Sequence, residues 1–192
     1  MLLSESIVKA VEVLNEGGVI LHPTDTVWGI GCDPFNEDAV KRVQKLKNRP
    51  NEQPFILLVH SLEKLREYVP LIHPRIETLL SLHQRPLTIV YPDAENLAPP
   101  LVNENGEVAM RIVKTGPCHS ILKTFDKPML STSANTHGNP TPTFFGEVTS
   151  DIIRGCDFTF PCDKNEKNGR EQMPSVIATY NEKTGELEFI RS

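Results

Sequence analysis

The run Phe55-Ile56-Leu57-Leu58-Val59 constrains this chain most. Five consecutive apolar residues leave no side for solvent, so they read as a strand covered on both faces. Val19-Ile20-Leu21, bounded by Gly17-Gly18 and Pro23, is a second short buried strand, and Leu87 to Tyr91 is another. Helical periodicity fills the intervals. A first helix runs from about Glu5 to Glu16, with Ser4 as its N-cap, Ile7, Val11 and Leu14 on one face and Gly17 at the C-terminal cap. A second starts near Asn36, buries Val40, Val43 and Leu46, and is stopped by Pro50. Ser61 to Val69 and Pro74 to His83 follow, the latter with proline in its first turn and Ile76, Leu79 and Leu80 facing inward.

Val108 to Val113 alternates, which sets Arg111 on the face opposite Met110 and Ile112. A short helix from about Cys118 to Phe125 and a strand at Met129 and Leu130 lead into a polar loop, Ser131 to Asn135. A helix is predicted after Thr143, a strand over Phe158 to Phe160, and a hairpin of Ser175 to Tyr180 with Leu187 to Arg191 turning through Thr184-Gly185. Pro92 to Gly106 reads as a loop and Asp163 to Gln172 as a polar flap. This order mixes β-α-β units with hairpins, so the fold class is α/β with a mixed sheet. At 192 residues the chain fits one well-buried domain.

Composition narrows the function. With 39% hydrophobic and 23% charged residues the chain is ordinary for a globular protein, and no apolar run reaches the roughly 20 residues of a membrane span. The N-terminal helix carries Glu5 and Glu12 and no basic leader, so a cytoplasmic location is expected. Cys32, Cys118, Cys156 and Cys162 form no Cys-x-x-Cys pair and His22, His60, His73, His83, His119 and His137 show no ligand spacing, so no protein-held metal is expected. The adjacent pair Cys118-His119 points to opposite directions and is set aside as a nucleophile and base. A net charge of -5 leaves any RNA contact local and weak.

Four strand-end stretches are more polar than a core requires: Thr24-Asp25-Thr26 followed by Gly29 and Gly31, Lys47 to Gln53, Ser131 to Asn135, and the surroundings of Ser175. Gly29 and Gly31 suit a loop that wraps a small ligand, and equally a tight turn. Lys47 and Arg49 offer a point charge and a planar fork, the pairing suited to a polyphosphate; the competing reading is a helix end whose basic residues complement the dipole. Ser133 and Asn135 can donate neutral hydrogen bonds to phosphate oxygens. No Gly-x-x-x-x-Gly-Lys-Ser/Thr loop and no Gly-x-Ser-x-Gly elbow is present.

Five segments in order, HPTDTVWGIGCDP, KNRPNEQPFILLV, AMRIV, PMLSTSANTHGNPTPT and MPSVIATY, resemble the YrdC/TsaC family of threonylcarbamoyl-AMP synthases over nearly the whole chain. The resemblance implies a single YrdC-like domain, residues 1–192, with a twisted mixed β-sheet and flanking helices around a concave cavity. It implies a reaction of L-threonine, bicarbonate or CO2, and ATP that yields threonylcarbamoyl-AMP and pyrophosphate. Downstream transferase machinery would use the product to modify tRNA.

The family's tetrad falls on Lys47, Arg49, Ser133 and Asn135, the implied catalytic set; Gln53, Thr143 and Arg191 complete the ATP side, and Thr26, Arg111 and Ser175 become the threonine contacts. Mg2+ is implied with ATP, held mainly by the phosphates. The extra C-terminal domain of longer members is expected to be absent, with the 163–172 flap closing over the nucleotide. The competing readings are a YciO-like paralogue and an RNA-binding module without efficient adenylation.

Overall fold

The computed structural model describes residues 2–48, 55–97, 99–161, 175–181 and 183–191, with the backbone alone at Tyr180 and Arg191. The elements in chain order are α1 (Leu3–Asn15), β1 (Val19–Pro23), β2 (Trp28–Cys32), α2 (Glu37–Lys47), β3 (Ile56–Val59), α3 (Leu62–Arg66), α4 (Pro74–Leu82), β4 (Leu87–Tyr91), β5 (Val108–Ile112), α5 (Gly116–Phe125), β6 (Met129–Ser133), a 3-10 turn at Phe145–Glu147, α6 (Ser150–Gly155), β7 (Phe158–Thr159), β8 (Val176–Tyr180) and β9 (Leu187–Arg191). Among the described residues the strands form one sheet in the order β7-β1-β2-β6-β3-β5-β4-β8-β9. The pairs β1/β7, β3/β5 and β4/β8 are parallel and the others antiparallel, so the sheet is mixed as its element order predicts.

Strand alternation sorts the side chains into two unlike faces. One face presents Leu21, Ile30, Leu57, Ile89, Met110 and Leu130, all buried with Val40 and Val43 of α2, Ile76 and Leu80 of α4, and Ile152 of α6. This layer is the main core. On the other face Ile20, Leu58 and Met129 pack under α1 and α5, through Ala10, Leu14, Ile121 and Leu122. Beyond those helices the same face carries small or polar residues, Gly29, Ser131, Ala109, Arg111 and Thr88, and there it is concave. No helix among the described residues is long and apolar enough to cross a membrane.

Three local expectations are corrected. Helix α1 begins two residues earlier than predicted: Leu2 is its N-cap, its N–H donating to Glu5 Oε2 at 2.9 Å, which places Ser4 inside the helix. The run Ser131-Thr132-Ser133 is strand, since β6 pairs with both β2 and β3 and hydroxyl side chains suit the open face. The expected helix after Thr143 is a 3-10 turn followed by α6. The predicted flap over 163–172 and Cys162 lie outside the described residues.

Gly29 and Gly31 are likewise strand residues of β2, and neither has positive φ. Space is the reason for glycine there. A Cβ on Gly31 would stand 2.9 Å from Met129 Sδ and 3.0 Å from His22 Nε2, and one on Gly29 3.0 Å from Ser131 Oγ. We expect Gly31→Ala to destabilise the protein by about 1–3 kcal/mol, the scale of overpacking. Urea unfolding checks this, and an unchanged midpoint would contradict it.

Candidate active site

The β1–β2 connection shapes the cavity. Thr24 Oγ1 accepts hydrogen bonds from the N–H groups of Thr26 (3.0 Å) and Val27 (3.1 Å) and donates to Val27 O at 2.7 Å, so one hydroxyl closes the turn locally. Thr26 Oγ1 lies 2.8 Å from it. The strands β2, β6 and β3 separate β1 from β5 in the sheet, yet Arg111 of β5 donates through Nη1 to Thr26 Oγ1 at 3.3 Å and its Nη2 lies 3.1 Å from Asp25 Oδ1. The turn therefore folds over the concave face. Arg111 is buried, and among the described residues its Nε has no hydrogen-bond partner.

Beside Arg111 in register stands Thr88, whose Oγ1 is 2.8 Å from Ser175 Oγ, both residues buried. Thr26, Arg111 and Ser175, predicted separately, thus line one cavity of about 310 Å³ together with Thr24, Gly29, Ser131, Ser133 and Thr141. Apolar floor comes from Ile56, Leu58, Val90 and Ile177.

Lys47 joins the second group. At the last turn of α2, just before the left-handed cap Asn48, it is 3% exposed and reaches across to β6. Its ammonium donates to Ser133 O (2.6 Å) and Asn135 O (2.7 Å), with Ser133 Oγ at 3.3 Å and Asn135 Oδ1 at 3.1 Å. His137 N–H returns a bond to Lys47 O at 2.8 Å, and Asn135 Nδ2 donates to Asn139 O at 2.5 Å. Lys47 is thus no solvated helix end: it ties α2 to the Ser133–Asn135 segment and fixes the groups that edge the cavity.

The remaining predicted residues are placed differently. Thr143 is exposed, its N–H and Oγ1 bonded to Glu147 Oε2 at 2.7 and 3.0 Å, and Thr141 rather than Thr143 lines the cavity. Arg191 ends β9 opposite Ile177, a cavity-lining position, and its side chain lies outside the described residues, as do Arg49 and Gln53. Cys118 and His119 do not form a pair. Burial pushes the Cys118 thiol up to about 12, and His119 Nδ1 is bonded to Val113 O at 2.8 Å.

The contacts of three further residues of the site are not legible in the sequence, although Asp25 belongs to a polar stretch it singles out. Asp25 sits in a polar turn whose reach to Arg111 depends on sheet order. Thr88 carries a signal, since it faces away from Leu87, Ile89 and Tyr91 in an alternating strand. His22 hides in an apolar run, fully buried under the glycines of β2, its ring nitrogens 3.3 Å from Pro23 O and 3.5 Å from Ser131 Oγ.

Burial, against the bond to Pro23 and with the nearby Arg111 charge, lowers the His22 pKa from 6.5 to about 4. The unfolded chain takes up this proton first as pH falls, so stability from neutral His22 is complete above pH 6.5 and lost toward pH 4. The loss amounts to about 3 kcal/mol. His22 resonances should stay in the neutral position down to near pH 4 in an NMR titration; a midpoint near 6.5 would contradict the assignment.

With this geometry in hand, comparison with known proteins is informative. Residues 12–192 match the Sua5/YciO/YrdC family, described as telomere recombination. The chain is 35% identical over 168 residues to the threonylcarbamoyl-AMP synthase of Enterobacter sp. (strain 638), covering 86% of each chain. It is 34% identical over 189 residues to the threonylcarbamoyl-AMP synthase of Escherichia coli O1:K1 / APEC, covering 97% of this chain and 96% of that one. The structure of P. abyssi Sua5 complexed with L-threonine superposes with a TM-score of 0.78 at 26% identity over 93% of this chain, which spans about half, 52%, of that protein. Both curated names denote a nucleotidyltransferase-type enzyme. The match over nearly the whole chain places it in the Sua5/YciO/YrdC family.

Proposed function

We propose that this chain is an L-threonylcarbamoyladenylate synthase, converting L-threonine, bicarbonate or CO2, and ATP into threonylcarbamoyl-AMP and pyrophosphate. The observation that carries the reading is the meeting of two predicted groups at one cavity: Thr26, Arg111 and Ser175 in its wall, and Ser133 beside them, held with Asn135 by Lys47. The relatives' name and the bound L-threonine of P. abyssi Sua5 support it.

In this reading Arg111 holds the amino acid's carboxylate while the hydroxyls of Thr26 and Ser175 satisfy its other polar groups. The threonine amine loses a proton and bonds to the carbon of CO2, giving a carbamate. A carbamate oxygen then attacks the α-phosphorus of ATP, and the bond to the β-phosphate oxygen breaks to release pyrophosphate. The described residues supply no nucleophile to this sequence. Their part is to position two substrates and to stabilise charge, with Ser133 and Asn135 on the phosphate side and Lys47, Arg49, Gln53 and Arg191 completing it. The carboxylate at this end of the cavity, Asp25, is already engaged by Arg111, so Mg2+ fits as part of the ATP complex, with phosphate oxygens as its ligands. The product passes to a transferase that modifies tRNA.

Pyrophosphate release from purified protein tests the reading. It should require threonine and bicarbonate together; a folded sample that binds ATP and releases none would overturn it in favour of a YciO-like or RNA-binding role. Lys47→Ala or Arg49→Ala should lower the rate by about 100-fold or more, the scale of losing a transition-state donor. Arg111→Met should raise the KM for threonine by about 10-fold to 100-fold, the worth of a charge-assisted contact. Unchanged kinetics in these variants would remove the residues from their assigned roles.

A further inference from the structure

Asp25 is turned onto Arg111 although its own turn does not need the contact. Thr24 closes that turn with its single hydroxyl, while Asp25 and Thr26 make the outward contacts, both to the same guanidinium across three intervening strands. Two buried groups near Arg111, His22 and Cys118, are kept neutral by burial. Among the described residues Asp25 is the carboxylate in contact with Arg111, and that contact sets where the guanidinium points. A long side chain such as arginine has many rotamers, and a single charged contact at 3.1 Å selects among them.

We infer that Asp25 is a positioning residue for the amino acid's carboxylate: by holding Nη2 it fixes the plane of the Arg111 guanidinium and leaves its remaining N–H bonds to the ligand. This inference rests on the reading of L-threonine as substrate. Asp25 itself touches no reacting atom.

The test compares Asp25→Ala and Asp25→Asn with the unmutated protein in threonine- and bicarbonate-dependent pyrophosphate release, with thermal unfolding alongside. Asp25→Ala should raise the KM for threonine by about 10-fold or more, the loss of one charge-assisted contact. The KM for ATP should stay within about two-fold, a split that general loosening of the fold would not produce. Asp25→Asn, which keeps an oxygen toward Arg111, should recover most of the affinity. Three results would overturn the inference: an unmoved threonine KM in Asp25→Ala, a lowered one, which would make Asp25 a competitor of the substrate carboxylate, or an equal rise in both KM values. If Asp25→Ala does not fold, Asp25→Asn decides, through a smaller rise confined to threonine. An unmutated protein without threonine-dependent release overturns the functional reading and this inference with it, whereas full activity with an unmoved Asp25→Ala overturns this inference alone.

Discussion

A buried guanidinium on the open face of a sheet is the constraint around which the site is arranged. Arg111 is carried there by the alternation of β5, whose other face must supply Val108, Met110 and Ile112 to the core. Removing such a charge from water costs several kcal/mol unless hydrogen bonds and a counter-charge replace the lost solvent. The β1–β2 turn supplies both, through Thr26 and Asp25, and must cross the concave face to do so. The roof of the cavity and the compensation of its cation are thus the same feature. Among the described residues one N–H of the guanidinium, that of Nε, has no partner, so the compensation they provide is incomplete.

Lys47 shows the same logic at the other edge. Its ammonium is almost fully buried and is matched by oxygens of Ser133 and Asn135, two of them backbone carbonyls. In the proposed reaction such a lysine serves the phosphates both by its charge and by presenting Ser133 and Asn135 in a fixed arrangement. Loss of Lys47 would therefore disturb geometry as well as charge, and kinetic effects of its substitution combine the two. Preorganisation of this kind is what the proposed reaction, which uses no protein nucleophile, would require of the chain.

Much of this was legible in the sequence, for identifiable reasons. Uninterrupted apolar runs such as Phe55 to Val59 and the alternation around Arg111 fixed the strands and the faces, because two-sided burial and period-two patterning are local properties. The mixed sheet followed from element order. What local pattern could not show was which elements meet. Asp25 and Arg111 are far apart in sequence and in strand order, and only the curl of a turn over the sheet joins them. Ser131 to Ser133 looked like a loop because hydroxyl residues are common in loops; a strand facing a polar cavity has the same composition. Of the two uses the sequence allows for Gly29 and Gly31, positive φ or close approach, the structure shows close approach, which makes room for the His22 ring.

The most direct test of the account is a crystal structure of this protein with L-threonine and an ATP analogue carrying a methylene group between the α- and β-phosphates. The account predicts the threonine carboxylate on Arg111, its amine directed toward the α-phosphorus, and the phosphates alongside Ser133 and Asn135. Threonine bound away from Arg111, or phosphates seated on a different face of the sheet, would contradict it.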